Sequence, residues 1–189
     1  MKNNSSREKG FTLIELMVTV ALVVILMAVA TPSFTTFQRN AELTSFINSM
    51  VAAINGARGE AMKRGRYAMI VPADNTNWSS GWIAFVDMDR TQAYEKAAND
   101  ILVLSREAPP NYLTISANGT AAASPPYIMF DASGYATSKA SGFGNLTFSV
   151  TRDFGLSTEE TRRAVISVTG RVRTCNPSTD STCTSSATQ

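Results

Sequence analysis

The run FTLIELMVTVALVVILMAVA, residues 11–30, holds a single charge, Glu15. As a helix it rises 1.5 Å per residue and covers about 30 Å, the hydrocarbon thickness of a bilayer. A carboxylate at mid-membrane costs on the order of 3 kcal/mol, and less near a helix end, so a partner for Glu15 is expected. A cleavable secretory signal is the alternative reading. Lys2, Arg7 and Lys9 precede the run, and Ala28, Val29 and Ala30 have the small-x-small form of a cleavage site. The length of the run and the acid inside it count against that alternative.

The formal charge of the chain is +2, and Lys2, Arg7 and Lys9 against Glu8 already supply 3 − 1 = +2 of it. Residues 11–189 carry 17 − 3 = 14 basic and 15 − 1 = 14 acidic side chains, so attraction for a polyanion has to come from local clustering. The chain has no histidine. That removes the usual neutral-pH base, the triad imidazole and the commonest zinc ligand together, and no cofactor motif or activated nucleophile replaces them. An enzyme is not expected. Behind an export-type N-terminus, Cys175 and Cys183 favour a disulfide over a metal site, since two thiols without other soft ligands hold zinc poorly.

Leu43, Ile47, Met50, Ile54, Ala57 and Ala61 repeat at spacings of three and four, one apolar stripe on an amphipathic helix. The helix is expected to end at Gly65, with Lys63 and Arg64 in its last turn explaining the local basic cluster with Arg66. Gly56 and Gly59 inside it imply close packing or a kink. From Arg66 onward the chain holds seven short β-type runs separated by turn residues: RYAMIVP, GWIAFVD, ILVLSRE, YLTIS, YIMFD, GNLTFSVT and RAVISVTG. One long helix before seven strands describes an α+β domain, the helix laid across an antiparallel sheet.

The motif G|FTLIELMV resembles the processing signal of type IV pilins and type II secretion pseudopilins. The later blocks GWIAFVDMDR, ILVLSRE, FDASGYAT and AVISVTGRVRTC are similar, in order and content, to the FimT and H-type (GspH-like) minor pilins and pseudopilins. The resemblance implies a type IV pilin-like fold with residues 1–10 as a leader, 11–37 as a transmembrane and polymerisation helix, and 38–189 as a periplasmic head. It implies prepilin peptidase cleavage after Gly10, N-methylation of Phe11, and Glu15 as the acid five residues past the cut. Pro32 falls where many pilins have a helix kink. Partners implied are other major and minor pilins and the inner membrane of a Gram-negative bacterium, with the head later displayed on a surface pilus. The loop TQAYEKAAN, 91–99, departs from the expected Gly- and Asp-rich connection.

In the FimT-like subgroup a Gly-Arg-x-Arg element is associated with DNA uptake in natural transformation, and the matching residues here are Gly170, Arg171, Val172 and Arg173. In an extended strand Arg171 and Arg173 project from one face, with Val172 facing the other way. From Arg162 onward four arginines face one acid, Asp180, a local +3, and Arg162 and Arg163 are secondary DNA candidates that Glu159 and Glu160 could neutralise. Two to four phosphate contacts imply a salt slope of about −2 to −4 and a Kd of about 10⁻⁴ to 10⁻⁶ M for double-stranded DNA of any sequence. The bland reading is a solvated face in a structural or priming subunit, with Arg171 paired to Asp131 or Glu160. Asp87, Asp89 and Asp100 have some calcium-like spacing but lack the sixth-position glycine and the bidentate Glu at twelve, so no metal is expected there. Trp78 and Trp82 are read as core or loop anchors rather than a base-stacking platform.

Overall fold

The structure is a computed structural model that describes residues 10–95, 97, 99–152 and 160–184; within the first helix the side chains of Val29, Pro32, Ser33 and Thr36 are also outside the description. The leader 1–9, the kink expected at Pro32 and the charge of Glu159 therefore lie outside the described residues. Helix α1 runs Leu13–Arg64, and the chain divides into two compact units, 1–39 and 40–189.

In the first unit Thr12 stands just ahead of α1. Its hydroxyl accepts the Glu15 N–H at 3.3 Å and its carbonyl accepts the Leu16 N–H at 3.2 Å, so a Thr three residues before a Glu starts the helix as an N-cap. The apolar side chains beyond it are bare on every side, from Leu13 at 77% exposed to Met27 at 63%. Among the described residues no helix is long and apolar enough to cross a membrane; the stretch with described side chains breaks after Ala28.

In the second unit the expected stripe is the core face of α1: Leu43, Ile47, Met50, Ile54, Ala57 and Ala61 are all at most 2% exposed, joined by Phe46 and Ala53. Gly56 lets the helix approach the strand that carries Val103, since a Cβ there would lie 3.3 Å from Val103 Cγ1, whereas nothing packs against Gly59. The helix stops at Arg64, followed by Gly65 at φ +63°. Lys63 and Arg64 both pair with Glu60, at 3.1 and 2.6 Å, so their charges are spent within the helix's last turns.

Among the described residues eight strands succeed the helix: β1 Tyr67–Pro72, β2 Gly81–Asp87, β3 Ile101–Glu107, β4 Leu113–Ala117, β5 Ile128–Phe130, β6 Leu146–Arg152, β7 Glu160–Ile166 and β8 Val172–Cys175. They form two four-stranded antiparallel sheets rather than one, ordered β3-β2-β1-β5 and β4-β6-β7-β8. The helix stripe, Ile70, Ala84 and Phe130 of the first sheet, and Phe148, Ala164 and Ile166 of the second make one core. Trp78 and Trp82 are buried in it; the Trp78 indole N–H donates to the Ala121 carbonyl at 2.8 Å and its ring meets Phe148 edge-on at 5.3 Å. A smaller cluster of Met69, Val71, Phe85, Tyr127 and Met129 lies on the other face of the first sheet. Every residue of both clusters lies at Leu43 or beyond, so this unit carries a complete core of its own.

A turn at Asp74 links β1 to β2. The Asp74 carboxylate accepts the backbone N–H of Asn77 at 2.8 Å and of Thr76 at 2.9 Å, and these bonds, Asn77's foremost, bring its pKa down from 3.8 to about 2. A depressed carboxyl pKa stabilises the fold above the unfolded value and is lost as pH falls through the folded one. Acidifying the head from pH 4 to pH 2 is thus expected to lower its melting temperature by less in Asp74→Asn than in the parent. Parallel acid melts of the two proteins check this.

Candidate nucleic-acid interface

The Arg-Val-Arg element does not extend the seventh strand. Strand β7 ends at Ile166, and β8 folds back against it with Val165 opposite Arg173 and Ile166 opposite Val172. The reversal is made by Ser167–Arg171, where the Gly170 N–H donates to the Ser167 carbonyl at 2.9 Å and the Ser167 N–H to the Arg171 carbonyl at 3.0 Å. Gly170 is buried and sits at φ +75°, a conformation that disfavours a side chain. A Cβ there would fall 2.1 Å from the Gly134 carbonyl oxygen and 2.7 Å from Arg58 Nε.

These close approaches belong to a clamp that sequence reading missed. Arg58 on α1 donates from Nε to the Gly134 carbonyl at 2.9 Å, and the Ala136 N–H donates to the Val168 carbonyl at 2.8 Å. Helix, Asp131–Ala136 turn and β7–β8 turn are thereby fixed to one another. The Arg58 hydrogen bond spans 76 positions, and only the two glycines in FDASGYAT and TGRVRT hint at it in the sequence.

Arg171 and Arg173 line one open groove of about 310 Å³ with Val165, Ser167, Val168 and Thr169. The lining is thus mixed, apolar from the valines and polar from the hydroxyls and guanidinium groups. Val172 is half-buried and packs toward the core. The two arginines differ in freedom. Arg171 is exposed, and among the described residues its side chain has no hydrogen-bond or ion-pair partner; the alternative pairing to Asp131 or Glu160 is not made. Glu160 instead faces Arg162 at 3.1 Å, and Asp131 accepts the N–H groups of Ser133 and Tyr135 at 2.8 and 3.0 Å. Arg173 is engaged, donating to the Thr182 hydroxyl and carbonyl at 3.3 Å each, with Asp180 at 3.6 Å. The Thr182 hydroxyl and backbone N–H, ahead of the Arg173 charge, hold the Asp180 carboxyl below its usual range.

Those partners sit on the loop closed by the Cys175–Cys183 disulfide. Arg163 secures the same loop from β7 by donating to the Cys183 carbonyl. Arg162 is tied to Glu160 and to the Thr161 carbonyl. Of the four candidate arginines, the structure brings Arg171 and Arg173 together and turns Arg162 and Arg163 to local work.

The three aspartates of the β2–β3 loop do converge: ligand oxygens of Asp87, Asp89 and Asp100 lie within 4.8 Å of one another. Their oxygens are occupied by main-chain donors. Asp87 accepts from Arg90 and Gln92, Asp89 from Thr91, and Asp100 from Met88 and Glu95, at 2.7 to 3.2 Å. Burial pushes the Asp87 carboxyl upward, which suits a loop organiser.

The family model described as Type II transport protein GspH matches residues 47–170, which takes in the core stripe from Ile47 on and strands β1 to β7, and ends at Gly170, ahead of Arg171 and Arg173. The chain belongs to the GspH family. The prokaryotic N-terminal methylation motif matches residues 5–31 of this GspH-like chain. Two crystal forms of the type IV minor pilin FimU from Pseudomonas aeruginosa PAO1 share the fold. One aligns with a TM-score of 0.52 at 21% identity over 72% of this chain and 90% of that one. The other aligns with a TM-score of 0.51 at 21% identity, covering 72% and 94%. Comparison with curated proteins finds no match. The GspH-like chain is thus a minor pilin or pseudopilin, of a structural rather than catalytic family.

Proposed function

We propose that this GspH-like subunit is a minor type IV pilin that captures extracellular double-stranded DNA, without regard to sequence, for uptake in natural transformation. The observation that carries the reading is the Arg171 guanidinium, without a partner among the described residues, in a groove shared with Arg173. A guanidinium forks onto phosphate oxygens, which every sequence offers, and among the described residues no helix or series of side chains is arranged there to read base edges. The test is a titration of the head, from Gln38 onward, with duplexes of unrelated sequence at several salt concentrations. Weak, salt-steep and sequence-blind binding is expected. A folded head that binds no duplex moves the assignment to a structural or priming subunit of a pilus or of a type II secretion pseudopilus.

The N-terminal segment fits a single-pass anchor in the inner membrane that becomes a polymerisation handle. The apolar surface of α1 from Leu13 to Met27, bare all round, needs lipid or other subunits to cover it. Cleavage after Gly10 by prepilin peptidase leaves the methylated Phe11 amine as a cation, and Glu15 meets the corresponding amine of a neighbouring pilin. Such a pair adds little net stability but penalises any misregistered subunit, which would bury unmatched charges at a cost of several kcal/mol. Glu15→Ala is therefore expected to insert in the membrane as the parent does and to be largely missing from sheared pili. Immunoblots of membrane and pilus fractions read both, and normal incorporation refutes the pairing.

A further inference from the structure

The Arg171 groove does not end at its arginines. The Ala136 N–H bonds the Val168 carbonyl at 2.8 Å and the Gly134 carbonyl abuts Gly170, so residues 134–136 run antiparallel beside 168–170. That register sets Tyr135 next to Thr169, which lines the groove. Ala136 turns its methyl into the core, so Tyr135 and Thr137 project outward by the alternation of an extended chain. Phe143 bridges Thr137 from the next segment and shares that outward face. Both rings are bare: Tyr135 is 50% exposed and Phe143 80%.

Among the described residues nothing in the fold uses these two rings, and each leaves apolar surface in water. Thr169, the neighbour of Tyr135 in this register, lines the same groove as Val165 and as Arg171, whose guanidinium has no partner among the described residues, and the groove is at the lower end of the size range for small-ligand sites. Cation for phosphate, apolar lining for sugar and ring for base are the chemistry of one nucleotide with an unstacked base. We infer that Tyr135, seconded by Phe143, is a base-stacking platform continuous with the Arg171 groove, so that the head grips a single strand of DNA, or a frayed duplex end, more tightly than an intact duplex. The inference rests on the DNA-capture reading and names the form of DNA the site prefers. A blunt duplex keeps its bases paired and stacked and can reach only the arginines.

The experiment compares the head with Tyr135→Ala, Tyr135→Phe and Arg171→Gln, each titrated by fluorescence anisotropy with a short labelled single strand and with a closed hairpin duplex of the same sequence. Tyr135→Ala is expected to lose about tenfold in affinity for the single strand while its duplex affinity stays within about twofold. Tyr135→Phe keeps both, and Arg171→Gln weakens both. Because the ring is exposed, thermal melts of Tyr135→Ala should match the parent. Unchanged single-strand affinity in Tyr135→Ala, or an equal loss for both forms, overturns the platform while leaving duplex capture standing. A parent head that binds neither form overturns the DNA reading itself.

Discussion

Gly170→Ala is expected to lower the melting temperature of the head by about 10 °C and to remove its affinity for DNA. Two costs add. The φ of +75° disfavours any L side chain by about 1–2 kcal/mol. The new methyl also falls 2.1 Å from the Gly134 carbonyl and 2.7 Å from Arg58 Nε, so the clamp has to open and leave a half-buried guanidinium hydrogen bond unmade, at about 1–3 kcal/mol. A total of about 3 kcal/mol corresponds to about 10 °C in a domain of this size. Since Arg171 comes directly after, the same displacement moves the groove's free cation. Arg58→Lys separates the two effects: it retains the charge on the helix but loses the planar donor, and should cost less stability than Gly170→Ala. A Gly170→Ala head that melts within two degrees of the parent means the turn accommodates the methyl and the clamp is not what shapes it.

The second large effect is an inequality between the two groove arginines. Arg171→Gln removes a cation with no competing partner among the described residues, whereas Arg173→Gln removes one that already faces Asp180 and Thr182. Removing one arginine–phosphate pair should flatten the salt dependence by about one unit. Arg171→Gln is thus expected to weaken duplex binding at least about tenfold at low salt and to reduce the slope by about one. Arg173→Gln should give a smaller loss. Asp180→Asn should move the other way, because it relieves Arg173 of its acid and raises the local charge by one; an exposed pair of this kind is itself worth only a few tenths of a kcal/mol to about 1 kcal/mol, so a gain of about two- to fivefold is the expected scale. Equal losses from both arginines, with no gain from Asp180→Asn, would mean that Asp180 does not hold Arg173 in solution.

The parts of this fold that repeat along the chain are readable in its sequence. The stripe Leu43, Ile47, Met50, Ile54, Ala57 and Ala61 is a helical period, and all six are buried. The runs GWIAFVD and ILVLSRE coincide with β2 and β3. Chain reversal and distance set the rest. The run RAVISVTG ends at Gly170, where a bend can be read, but that the bend is a full reversal over Ser167–Arg171 that returns β8 along β7 cannot, and the division into two sheets leaves no local trace. The partners of the arginines are hidden for a similar reason. Asp180 is the lone acid of the tail, but its approach to Arg173 depends on the loop that Cys175 and Cys183 close. Arg58 reads as one more charge on a helix until Gly134 is brought to it from 76 residues away. Tyr135 shows nothing in sequence to mark it as bare, since exposed and buried tyrosines have the same letter in a β-rich stretch.

The covalent loop also ties the maturation of this edge to geography. Cytosolic thiols are kept reduced, so a freshly made chain still facing the cytosol lacks the crosslink that sets Thr182 and Asp180 beside Arg173 and the Cys183 carbonyl beside Arg163. Closing the loop therefore sets an acid beside Arg173 and leaves Arg171 as the groove cation without a partner among the described residues, so opening the Cys175–Cys183 bond is expected to loosen Arg173 and leave Arg171 unchanged.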